Sequence, residues 1–274
     1  MKHLLHYPLH QVEPYINWAY FFHAWRTTPE QSPELKGDAQ RLLKEMEDKY
    51  QTHALVELFE ANSDGEDIRI SGKGEGASVK ILPMLRQQHG KECLCWADFI
   101  RPIGTGQTDT IGVFATSVDE GMEQSYPTDE YRHLLCQTLA DRLAEATAER
   151  MHEEVRRHIW GYAPDESLTP QEMFNEKYIG RRPSVGYPSL PDQSLNFIID
   201  ELTDMGSIGI SLTESGAMRP HASTSGLLFA HPKARHFAIG KIGEDQLDDY
   251  ARRRKLPVDT LRKFLAANLP VRIS

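Results

Sequence analysis

Arg182-Pro183-Ser184-Val185-Gly186-Tyr187-Pro188 places a glycine between two prolines. Each proline locks its own φ and pushes the residue before it away from the helical region, so the stretch reads as an extended strip. Such a strip leaves backbone polar groups free to meet a flat ligand. Arg182 offers a planar fork suited to a carboxylate, Gly186 permits close approach, and Tyr187 adds an aromatic face and a hydroxyl. On local chemistry alone, the same residues read equally well as an ordinary loop.

The neighbouring elements supply the context. Upstream, Leu135, Leu139, Leu143 and Ala146 recur at spacings of three and four, predicting a long helix over 129–159 with Thr128 as its N-cap. Asp129 and Glu130 at its start and Arg156, Arg157 and His158 before Gly161 complement the helix dipole. Leu42, Leu43 and Met46 mark an amphipathic helix over 38–50. Apolar runs of strand length at 55–59, 67–70, 79–82, 94–99 and 111–115 are separated by turn residues and predict a mostly antiparallel sheet. Downstream lie short strands near 227–229 and 237–239 and helices at 244–254 and 259–268. The aromatic stretch 15–25, with Trp18, Phe21, Phe22 and Trp25, reads as packing. Neither a repeat nor a composition break divides the chain, so residues 1–274 are expected to form one α+β domain.

Composition narrows the function. A net charge of -9 disfavours a phosphate-tracking nucleic-acid surface, which needs many Lys and Arg contacts. Cys93, Cys95 and Cys136 contain no CxxC pair and are expected as reduced thiols in a cytoplasmic protein. The first residues lack a signal-peptide run, and no apolar stretch is long enough to cross a membrane. Gly72, Gly74 and Gly76 lack the strand-loop-helix spacing of a nucleotide fingerprint and read as a hairpin turn. His152 and His158 are six residues apart, on different helix faces, so an exposed charged face is expected and no metal site. The basic run Arg252-Arg253-Arg254-Lys255 reads as a solvated helix end or a docking patch for an acidic protein rather than a DNA reader. A hydrolase elbow, Gly-x-Ser-x-Gly, is absent.

Arg182-Pro-x-x-Gly-Tyr-Pro, preceded by Trp160-Gly161-Tyr162-Ala163-Pro164, resembles the activation domain of cobalamin-dependent methionine synthase. The similarity extends through Asn17-Trp18 with Phe21-Phe22, through 139–146, through 212–223 and through 245–253. It implies a curved α+β domain with a twisted antiparallel sheet and flanking helices, binding S-adenosylmethionine along the strip. In this resemblance Arg182 takes the methionyl carboxylate, backbone near Ser184 and Gly186 meets the adenine, and Tyr187 lies near the reacting end. Glu214, Met218, Arg219, Pro220, His221, Ala222 and Ser223 match the loop that approaches the upper face of a corrin. The implied chemistry is reductive remethylation of cob(II)alamin, with a flavodoxin-like reductant as electron donor. It explains the lack of an acid-base constellation, because positioning is the protein's main contribution.

The sequence departs from the family pattern at two places. Asn17 stands where an acidic residue contacts the ligand's amino group, and His236-Phe237 stand where a tyrosine pair is usual. A neutral hydrogen bond in place of a charge-assisted one costs on the order of 1 kcal/mol. The sequence also lacks the Asp-x-His-x-x-Gly motif of a cobalamin module, so the resemblance implies a corrinoid held by a partner protein, with this chain as its reactivation subunit. Two other classes stand beside that reading: a scaffold of a corrinoid methyltransferase complex with weakened ligand binding, and an independent methyltransferase, which the missing glycine fingerprint disfavours.

Overall fold

The structure, a computed structural model, describes residues 1–72 and 78–270, so Gly74 and Gly76 lie outside the described residues. Its strands are β1 (Lys2–Pro8), β2 (Gln51–Asp64), β3 (Asp67–Ile70), β4 (Lys80–Pro83), β5 (Asp109–Val118), β6 (Ser211–Leu212), β7 (Met218–Arg219) and β8 (Ser223–Leu228). Six of them form one sheet in the order β4-β3-β2-β5-β8, with β1 also on β2, while β6 and β7 pair with each other. Every pairing between these strands is antiparallel. The long β2 is the spine. β5 follows one of its edges, and β1 and β3 share the other end to end.

The sheet is covered on both faces. Ala54, Val56, Phe114 and Val118 point into a cluster with α1 (Leu9–Val12), α2 (Trp18–Ala24), α3 (Pro33–Met46), the one-turn α4 (Glu120–Glu123) and α5 (Glu130–Glu154). Leu55, Phe59, Val113 and Ala115 point the opposite way, toward Trp96 and α7 (Leu195–Thr203). Alternate residues thus serve two cores, which makes β2 and β5 read as continuous apolar runs. A third cluster joins α8 (Glu244–Arg254) and α9 (Val258–Phe264) to Leu85. Among the described residues no helix is long and apolar enough to cross a membrane, and all three cysteines are unpaired.

Several expectations are corrected. Asp129, rather than Thr128, caps α5, accepting from the Arg132 N–H at 3.0 Å. After Glu154 the helix widens into a π-helical turn, Val155–Ile159. The run 94–99 is no strand: Asp98 accepts from the Cys95 N–H at 2.9 Å and closes a 3₁₀ turn, Trp96–Phe99. Its apolarity comes from Trp96, which stacks on Phe229 at 4.8 Å and donates to the Ser189 carbonyl. Residues 237–239 are irregular, with Phe237 against Trp96 and the Ile239 N–H on the Pro188 carbonyl. The helix at 38–50 begins earlier, at Pro33, and the one at 259–268 ends as a separate 3₁₀ turn, Ala266–Asn268.

Two charged segments are more interior than the sequence suggests. His152 is fully buried edge-on to Tyr178, whereas His158 is exposed, so they share no face. Arg156 is fully buried as well, paired with Glu166 at 2.6 Å. In the basic run, Arg253 binds Asp67, Glu66 and Asp249, and Arg254 donates to Ser194. These contacts tie α8 to the sheet and to the start of α7, while Arg252 and Lys255 remain exposed at the helix end.

The proline-bounded strip lies along β8. Arg181 and Phe229 exchange backbone hydrogen bonds at 2.8 and 2.9 Å, Leu227 N–H donates to the Pro183 carbonyl, and Val185 N–H donates to Ser225. Its backbone is therefore largely paired with the sheet and not free as expected. The close approach belongs to Gly226, where an added Cβ would stand 2.1 Å from the Pro183 oxygen. Gly226→Ala is expected to lower unfolding stability by about 3 kcal/mol, measured by urea denaturation, because the collision is with backbone that has no rotamer to change.

Candidate functional site

Between the strip, α5 and the N-terminal segment lies a cavity of about 690 Å³. α5 contributes Arg142, Glu145 and Glu149, whose spacing sets the two carboxylates on one helix face. The strip contributes Arg182, Ser184, Tyr187 and Pro188. Asn17 with Tyr15 and Tyr20 closes one side. The one-and-a-half-turn helix α6 (Pro170–Phe174), the segment after it with Glu176 and Tyr178, and the loop with His236 and Phe237 complete the wall.

Arg182 is 9% exposed and donates through Nη2 to Glu149 Oε1 at 2.5 Å. Nη1 is 3.5 Å from the Ser184 hydroxyl, and the guanidinium lies 5.5 Å from the Phe114 ring centre. Burial opposes the Arg182 charge, but Glu149 and Glu145 more than offset it, so the guanidinium stays charged. One ion pair does not satisfy these groups. Arg182 Nε and Glu149 Oε2 are both buried without a hydrogen-bond partner. Arg182 and Glu149 both line the cavity, and each keeps one buried polar atom that their ion pair leaves without a partner.

Tyr187 is 49% exposed and donates to the Glu145 carboxylate. Burial first, then Glu145, holds its hydroxyl protonated far above the usual range. Gly186 does not line the cavity. With φ at 87° and its N–H on the Leu190 carbonyl, it turns the chain so that Tyr187 faces α5. Asn17 reaches the cavity but already accepts from the Ala19 N–H at 3.1 Å, as the N-cap of α2.

Glu176 closes the end of α6 in the left-handed region, at φ 52°. The Glu176 N–H bonds the Met173 carbonyl and the Lys177 N–H bonds the Glu172 carbonyl, a helix ending at which glycine is the usual residue. That conformation costs a side-chain-bearing residue on the order of 1 kcal/mol. It sets the Glu176 carboxylate 3.1 Å from Arg181 Nε and 3.5 Å from His236 Nε2.

The seven loop residues expected to face a corrin do not line this cavity. Met218 and Arg219 form β7, Pro220 and Ala222 are buried, and Ser223 opens β8 with its hydroxyl on the Pro220 carbonyl at 2.8 Å. Glu214 is exposed. His221 has an 86% exposed side chain whose Nδ1 is 3.2 Å from Asp141, while Glu123 accepts from the N–H groups of His221 and Ala222. Glu123, Asp141 and His221 bring carboxylate and imidazole atoms within 4.8 Å of one another. Asp141 lies one helical turn before Glu145, so α5 carries the anchors of both loop and cavity.

Sequence reasoning missed Glu145, Glu149 and Glu176. The first two stand four apart on a helix whose intervening residues, Ala146, Thr147 and Ala148, are all buried. Two carboxylates at that spacing, around three small residues suited to close packing, are the signal that would have found them.

A family model described as "Vitamin B12 dependent methionine synthase, activation domain" matches residues 8–255, and the chain belongs to that family. It is also similar to a crystal structure of the MetH reactivation domain bound to AdoHcy, at 35% identity and a TM-score of 0.92, over 98% of this chain and 90% of that one. The resemblance and the α+β fold read from the sequence are borne out.

Removing one member of the buried pair exposes its cost. Arg182→Ala is expected to lower unfolding stability by about 2 to 3 kcal/mol because Glu149 is left without its counter-charge. Adding Glu149→Ala should cost less than the sum of the two single changes, by about 1 kcal/mol in a urea double-mutant cycle.

Proposed function

We propose that the cavity binds S-adenosylmethionine and that residues 1–274 act as one reactivation module for a corrinoid methyltransferase whose cobalamin is held by a partner protein. The observation that carries this reading is the Arg182–Glu149 ion pair on the cavity wall, in which neither side chain has all its hydrogen-bonding capacity used. An amino-acid head group has the matching charges, a carboxylate for the guanidinium and an ammonium for the glutamate. The AdoHcy bound to the similar MetH domain shares that head group and differs from S-adenosylmethionine by the methyl on sulfur.

S-adenosylmethionine supplies an electrophilic methyl group, and this chain's residues orient it. Arg182 fixes the carboxylate end, Ser184 and Pro188 line the cavity from the strip, and Tyr187, held by Glu145, limits motion at the rim. Asn17 contributes a neutral amide, since its oxygen already caps α2. The loop from Met218 to Ser223 is the surface offered to the corrinoid partner, and a flavodoxin-like protein is the class of electron donor the chemistry requires. Orientation of this kind replaces acid-base groups as the source of catalysis.

Calorimetric titration with S-adenosylmethionine tests the reading. Saturable binding is expected, weakened about tenfold in Arg182→Lys, which keeps the charge but loses the planar fork. Absence of both heat and thermal shift at millimolar ligand would overturn it and leave the scaffold reading in its place.

A further inference from the structure

His6 and His53 face each other across the paired strands β1 and β2, directly opposed in register. Leu5 and Tyr7, the neighbours of His6, pack into the helical core, so the two imidazoles stand on the other face of the sheet. Their rings meet edge-on at 5.0 Å, and the two Nδ1 atoms are 2.7 Å apart. His53 is also held from its other nitrogen. Its Nε2 lies 2.8 Å from Asp119 Oδ1, and the second Asp119 oxygen accepts from the Gln51 N–H at 2.7 Å. The His53 side chain is 17% exposed, whereas His6 is open to solvent. Both rings, with Asp119 and Glu120, line a cavity of about 380 Å³ that is bounded as well by Ser207, Gly209 and Pro220.

Two nitrogens at that distance have room for one proton between them. With the His53 proton held on Nε2 by Asp119, its Nδ1 presents a lone pair toward His6. A carboxylate that fixes the tautomer of an imidazole and raises its basicity is the usual support behind a metal-ligating histidine. A hydrogen bond between two rings that water also reaches gains little, whereas a metal ion engages both nitrogens at once.

We propose that His6 and His53 form a two-histidine site for a zinc-like divalent ion, with Asp119 orienting His53 from behind. Imidazole nitrogen suits zinc, while calcium and magnesium require shells of oxygen. Bonds of about 2.0 to 2.1 Å at tetrahedral angles set the two nitrogens about 3.3 Å apart. A small rotation of exposed His6 provides that widening, and its proton then sits on Nε2. The remaining coordination positions open into the cavity, where water fills them. The ion cross-links the first strand to the spine of the sheet, beside Pro220 and the loop that follows β7.

The experiment titrates Zn²⁺ by calorimetry into the whole chain, free of metal and without a histidine tag, and locates the ion in a zinc-grown crystal by anomalous scattering at the zinc edge. One saturable site is expected, with affinity lowered at least about tenfold in His6→Gln, in His53→Gln and in Asp119→Asn. Affinity is expected to be unchanged in His221→Ala, which removes the imidazole from the group of Glu123, Asp141 and His221. The anomalous peak is expected between the two Nδ1 atoms, a readout on the natural sequence that does not depend on any variant folding. Zinc affinity retained in both histidine variants or lost in His221→Ala, no saturable binding, or no peak between the rings overturns the assignment. S-adenosylmethionine takes no part in this test, so the ligand reading above stands or falls separately.

Discussion

The buried contact between Arg182 and Glu149 is the constraint around which the rest is arranged. One partner comes from an irregular strip on the edge of the sheet and the other from the longest helix, so the pair fixes the gap that becomes the cavity. Neither charge is tolerable alone in such a place. The sheet supplies the strip's rigidity through the hydrogen bonds to β8, and Gly226 lets the two backbones come close enough to make them. The helix supplies the other wall because its leucine-bearing face is packed against the sheet and the N-terminal helices.

Much of this was readable in advance, for identifiable reasons. The runs in β2 and β5 are continuous because both faces are buried, and the period of α5 is clear because Leu135, Leu139 and Leu143 enter one core. The 94–99 run misleads because Trp96 and Phe99 are apolar for the sake of a turn that packs on Phe229. β1, with three of its side chains being histidine or tyrosine, carries no strand signature beyond its pairing with β2. Within the site, Arg182, Ser184 and Tyr187 announce themselves through the prolines around them. Glu145, Glu149 and Glu176 do not, because a carboxylate on a helix face or at a helix end ordinarily means solvent.

The two departures from the family pattern take on different weights in the folded chain. At position 17 the side chain performs a local structural task, capping α2, and only its remaining amide edge is left for the cavity. At 236 the replacement retains ring packing against Trp96 and joins the charge network of Glu176 and Arg181. One change subtracts a charge, whereas the other introduces a group whose charge depends on its medium.

Glu176 shows how a local irregularity constrains the molecule's history as well as its shape. A glycine there would relax the end of α6 and is what selection for stability alone would favour. It would also strip the wall of the carboxylate that faces Arg181 and His236. The helix ending and the cavity's charge are thus a single trait, and a thermostabilising screen blind to binding would be expected to erase the site from this position first.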